Sequence, residues 1–122
     1  MQDHRKLKVF SMADDLIADV YEYTSTFPKE ERYGLQSQVR RAAISVSTNI
    51  VEGCARRTSR ELAQFIAIAL GSASEVRYLL ELSQRLGFGD FQETPPSKHL
   101  VTRYDELVRA LSSFSQRLEQ SL

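Results

Sequence analysis

A single cysteine, Cys54, rules out an intramolecular disulfide and any metal site built from several thiolates. Its expected role is that of a small buried hydrophobe. Five glycines and three prolines in 122 residues are too few for a loop-rich or disordered chain. No apolar run approaches the roughly 18 residues of a transmembrane helix, and the opening MQDHRKLKVFSMADD lacks the apolar stretch of a signal peptide. No membrane partner is therefore expected, and the cytoplasm is the expected location. An excess of charge of one sign is also missing. With 16 basic against 16 acidic residues, nothing global draws the chain toward polyanions or acidic lipids, and any nucleic-acid surface must be a local patch.

Signatures of catalysis are equally scarce. His4 and His99 stand alone, neither has a glutamate three residues before it, and there is no HExxH, glycine-rich phosphate loop or nucleophile elbow. The expectation is a protein without enzymatic activity, bound metal or cofactor.

What the chain does contain is helical periodicity. With 42% hydrophobic and 26% charged residues, it has the composition of one ordinary globular domain spanning 1–122. Four segments repeat apolar residues every three or four positions, at about 7–26, 30–53, 59–86 and 96–120. The first carries Phe10, Ala13, Leu16, Ile17, Val20 and Tyr23 on one face, and Phe27-Pro28 should stop it. The second, with Leu35, Val39, Ala42, Val46 and Ile50, is expected to start near 29–31 and to end in a left-handed cap at Gly53. Thr58 with Glu61 three residues later has the spacing of a capping box for the third, and Leu86-Gly87 reads as its stop. Residues 87–96 form the one obvious loop, and Pro95 and Pro96 suit the first turn of the fourth helix. That helix repeats Leu100, Tyr104, Leu107, Leu111, Phe114 and Leu118 in steps of four and three, the seam of a bundle. Short joints make sequential helices antiparallel, so the expected fold is all-α, an antiparallel up-down-up-down four-helix bundle.

Three features point toward partners. The third helix is apolar over too wide an arc: beside the stripe from Leu62 to Leu80 lie Ile68, Leu79, Leu82 and Leu86, candidates for a subunit interface. Within it, the run of small residues from Ala67 to Ser74 includes Gly71, whose place inside a helix costs up to about 1 kcal/mol relative to alanine. In the second helix Gln38, Ser45, Asn49 and Glu52 line one flank of the apolar stripe. They form either a structural polar network, with Glu52 held by arginine, or a small-ligand surface. Residues 32–60 carry six arginines against one glutamate, 6 − 1 = +5. Of these, Arg40, Arg41, Arg56, Arg57 and Arg60 are candidate contacts to nucleic-acid phosphates or a partner, unless Glu61, Glu75 or the acidic face of the first helix pairs with them.

The stretch Gln38-Val39-Arg40-Arg41-Ala42-Ala43-Ile44-Ser45-Val46-Ser47-Thr48-Asn49-Ile50-Val51-Glu52-Gly53, followed by Arg57, is similar to a known family, and so is Phe65-Ile66-Ala67-Ile68-Ala69-Leu70-Gly71-Ser72-Ala73-Ser74-Glu75. Together they resemble the four-helix-bundle proteins encoded in intervening sequences of bacterial 23S ribosomal RNA genes, over about residues 8–118. The resemblance implies a homopentamer around a central channel. It also implies likeness in fold to the accessory proteins of diversity-generating retroelements, which bind nucleic acid and a reverse transcriptase and are strongly basic, unlike this chain. The expected function is a non-enzymatic homo-oligomeric scaffold that binds RNA or a nucleoprotein partner. A protein-protein adaptor without nucleic-acid binding is the alternative, and a small-ligand protein or enzyme using the Gln38/Ser45/Asn49/Glu52 line is a third.

Overall fold

The structure, a computed structural model, describes residues 1–89 and 99–122. Their long elements are four helices: α1 (Lys8–Thr24), α2 (Leu35–Cys54), α3 (Ser59–Arg85) and α4 (Leu100–Gln120), with 3-10 turns at His4–Lys6 and Lys29–Glu31. The chain is an all-α four-helix bundle. The α2–α3 contact is the most extensive, followed by α3–α4 and α1–α2, and α1–α4 is the slightest of the four. Cross-links fix the antiparallel order. Ser45 and Ser72 hydroxyls lie 2.9 Å apart across α2 and α3, and Arg103 near the start of α4 meets Asp19 in the second half of α1 at 2.6 Å.

Each helix buries the face that its periodicity marks. Ala13, Leu16, Val20 and Tyr23 of α1, Val39, Val46 and Ile50 of α2, Ala69, Ala73, Val76 and Leu80 of α3, and Leu100, Tyr104, Leu107 and Leu111 of α4 form one core. Cys54 is buried among them, and burial raises its thiol pKa. Phe10, Phe114 and Leu118 pack on the rim of the same core.

Helix ends show where local chemistry departs from the expected boundaries. α1 stops at Thr24, with the Thr24 hydroxyl donating to the Val20 carbonyl at 2.7 Å and Phe27 buried just before Pro28. α2 begins at Leu35 rather than near 29–31, because the carboxylate of Glu31 accepts from the Leu35 N–H at 3.1 Å and leaves Lys29–Glu31 as a separate turn. The expected left-handed cap at Gly53 is absent: Gly53 is helical, and α2 continues to Cys54. A Cβ at position 53 would stand 2.8 Å from Phe65 Cβ and 3.1 Å from Leu62 Cδ1, so glycine there serves the close approach of α2 and α3. Thr58 caps α3 by accepting from the Glu61 N–H at 3.1 Å, while the Glu61 carboxylate accepts from the Thr58 hydroxyl instead of reaching back to a backbone donor. At its other end Gly87 adopts φ +74°, with Gly87 N–H donating to Gln84 O and Phe88 N–H to Ser83 O, the paired bonds of a Schellman stop. Pro95 and Pro96, and with them the expected first turn of the last helix, lie outside the described residues.

Candidate functional site

Antiparallel order gives the bundle two ends with different polar chemistry. At one end, where α1 finishes and α2 begins, Arg40 bridges the two helices. Its Nε donates to Thr24 Oγ1 at 2.8 Å, its Nη2 donates to the Tyr21 carbonyl at 3.1 Å, and its guanidinium lies 4.3 Å from the Tyr21 ring centroid. Arg40 therefore ties the end of α1 to α2, with its Nε and Nη2 each committed to one acceptor there. Nearby, the Tyr23 hydroxyl sits 2.7 Å from Ser83 Oγ and donates to the Phe88 carbonyl at 3.0 Å. Burial pushes the Tyr23 pKa up to about 12, against the lowering effect of the Ser83 hydrogen bond.

The opposite end, where α2 passes into α3, leaves its cations outside. Arg56 pairs with Glu52 at 3.3 Å and lies 4.9 Å from the Phe65 ring centroid, an exposed arrangement with both partners about half in water. Arg57 and Arg60 are exposed, and no carboxylate lies within 4.0 Å of either among the described residues. Arg41, also exposed and unpaired in the same sense, sits farther along α2 in a groove of about 500 Å³ with Gln38, Ser45 and Glu75. The five arginines are thus not one patch: Arg56, Arg57 and Arg60 share one end, Arg41 lies along the α2–α3 groove, and Arg40 is structural. Glu61 and Glu75 hold none of them, and Asp19 on the acidic face of α1 instead pairs with Arg103.

The polar line of α2 also divides. Ser45 and Asn49 form a network, with Asn49 Nδ2 donating to the Ser45 carbonyl at 2.8 Å and to Ser45 Oγ at 3.0 Å, and Ser45 bonded on to Ser72. Gln38 is exposed in the groove, and Glu52 is far along the helix with Arg56. Glu52 is paired with Arg56 but stands apart from the Ser45/Asn49 network, and its side chain is 57% exposed, because position 52 falls on the solvent side of the last turn of α2. No group of three or more histidine, cysteine or acidic side chains placed to hold a metal ion is present among the described residues.

The candidate subunit interface on α3 is narrower than its sequence suggested. Leu79 is 4% exposed and belongs to the core of its own subunit, and Leu82 packs on the rim of that core. Ile68 and Leu86 remain outside, about half exposed, joined by Tyr78. Gln64, Ile68, Gly71, Glu75, Tyr78 and Leu82 follow one another in steps of four and three, a seam on the outer side of α3. At its centre a Cβ on Gly71 would meet nothing within 4 Å among the described residues. Sequence reasoning missed Tyr78 in this seam, although its spacing of seven from Gly71 was available as a signal.

The 23S rRNA-intervening sequence protein family matches the chain over residues 5–113. The chain belongs to that family. This family member is also similar in fold to a protein of unknown function from the S23 ribosomal protein family of Bacteroides thetaiotaomicron, whose crystal structure covers 88% of this chain and is itself covered over 95% of its length, with 19% identity and a TM-score of 0.74. Among curated proteins none matches the chain.

Proposed function

We propose that this family member is a non-catalytic, homo-oligomeric scaffold of the cytoplasm, whose subunits meet through the outer face of α3 and whose arginine-bearing end contacts RNA or a nucleoprotein. The observation that carries the assembly is the seam on α3. Ile68 and Tyr78, each about half exposed, flank a helical glycine that no contact among the described residues requires. A glycine inside a helix costs up to about 1 kcal/mol relative to alanine, and the close approach of a neighbouring helix is what offsets that cost. The stoichiometry of five rests on the family likeness alone.

Support for a phosphate contact is the exposure of Arg57 and Arg60 without carboxylate partners among the described residues, beside an Arg56 that is held only by an exposed ion pair. Such pairs are worth about 0–1 kcal/mol and exchange readily. Binding should be weak, indifferent to base sequence and steeply dependent on salt, since counterion release supplies its free energy. A gel-shift titration of structured RNA at low and moderate salt tests it. Replacing Arg56, Arg57 and Arg60 together by glutamine should abolish the shift while leaving helicity and particle mass unchanged. No shift by the wild-type protein at low salt would remove RNA from the account and leave a protein-protein adaptor.

A further inference from the structure

α1 and α2 leave between them a groove of about 520 Å³ that plays no part in the function proposed above. Its walls are two apolar rows. Phe10 and Ile17, seven residues apart, come from α1, and Ile44 and Val51, also seven apart, come from α2. Ile44 and Val51 are more than one-third exposed, so the described residues leave this surface partly open. The repeat of seven on both walls matches the spacing at which a third helix would insert its side chains. From Ile44 to Ala55 the groove runs for about 16 Å at 1.5 Å per residue, three turns of such a helix.

One further observation specifies the occupant. The rim is acidic on both sides, with Asp14 on α1 and Glu52 on α2. Asp14 has no cation within 4.0 Å among the described residues, and Glu52 has only the exposed Arg56. The surrounding helix deepens the field, since α1 also carries Asp15 and Glu22 against Lys8 alone, while its Asp19 is neutralised by Arg103. The α3 seam of a second copy is poorly suited, because its middle is Glu75, which would face the carboxylates of the rim.

We propose that the α1–α2 groove docks a basic amphipathic helix of another protein, whose apolar residues fill the space between Phe10, Ile17, Ile44 and Val51 and whose lysines or arginines pair with Asp14 and Glu52. Apolar contacts supply most of the affinity in such helix-in-groove recognition, and the charged rim sets which helices are accepted. The protein therefore has a cationic end and, on a different face, a docking surface for cationic helices.

A fluorescently labelled synthetic peptide of five turns, with leucines at heptad spacing and lysines flanking them, provides the probe, and a second peptide with every lysine replaced by glutamate is its control. Anisotropy titration of the full chain should show saturable binding of the basic peptide and none of the acidic one. Ile44→Glu should abolish binding with the thermal unfolding curve retained. Asp14→Lys combined with Glu52→Lys should weaken it at least tenfold, and Asp15→Lys, on the same helix but outside the groove, should change it less than twofold. The proposal is overturned if the two peptides bind equally, if Asp15→Lys weakens binding as much as the rim pair, or if no binding appears up to about 100 micromolar protein. It is likewise overturned if Ile44→Glu lowers the particle mass, which would give the groove to a second copy of the chain.

Discussion

Gly53 and Gly71 are both helical glycines, 18 positions apart, and they stand in opposite surroundings. Gly53 sits where α2 crosses the start of α3, and any side chain there would strike Phe65 and Leu62. Gly71 lies on the outer side of α3, with open space around it among the described residues. The first is explained by the fold of one subunit. The second is required by no contact among the described residues, and the subunit contact proposed for the outer face of α3 would account for it. The same division separates the apolar residues of α3: Leu79, turned inward, is 4% exposed, whereas Ile68, on the outer seam, is 51% exposed.

That division can be broken most forcefully with charge. Leu79→Asp buries a carboxylate with no cation to receive it, a change that costs several kcal/mol and should leave no cooperative thermal transition. Ile68→Asp should retain the helical circular dichroism spectrum and unfold at close to the wild-type monomer's denaturant midpoint. Equal damage from both substitutions would show that the inner and outer faces of α3 are not distinct. A subtler version uses the glycines themselves. Gly53→Ala should destabilise the subunit by about 1–3 kcal/mol through overpacking, as read from urea denaturation.

The two ends of the bundle are compared by smaller changes. Tyr23→Phe removes the donor to the Phe88 carbonyl and the partner of Ser83 Oγ, and should cost about 1–2 kcal/mol in the same denaturation assay. Glu52→Gln, at the exposed end, should shift stability by less than about 1 kcal/mol, the range for surface ion pairs. A larger loss would mean that the glutamate holds the turn between α2 and α3 together.

Much of this fold was legible in the sequence because the determinants are local. The Thr58/Glu61 spacing, the Gly87 stop and the steps of four and three from Leu100 to Leu118 each act within a few residues, and each is found where it was expected or within its helix. What escaped depends on long-range packing. Gly53 looks like a helix terminator in one dimension, and only the position of Phe65 shows that it is a contact residue. The six arginines between 32 and 60 read as one charged patch, yet the end of α1 engages Arg40 through Tyr21 and Thr24, which precede it by 19 and 16 positions. The pairing of Asp19 with Arg103 spans 84 positions and carries no local signal. The groove between α1 and α2 was hidden for a similar reason: Phe10 and Ile17 belong to the apolar stripe of α1, and only the placement of Ile44 and Val51 shows that they remain partly uncovered.

The central claim is that the outer face of α3 is a contact between subunits, and Gly71→Leu addresses it directly. In an isolated subunit the added Cβ meets nothing within 4 Å among the described residues and leucine replaces glycine with a strong helix former, so the fold should be at least as stable as before. In an assembly the same side chain blocks the close approach that glycine permits. Light scattering should therefore give a multiple of 13.9 kDa for the wild-type protein and a folded particle near 13.9 kDa for Gly71→Leu. A wild-type particle of 13.9 kDa, or a Gly71→Leu particle as large as the wild-type assembly, would contradict the account.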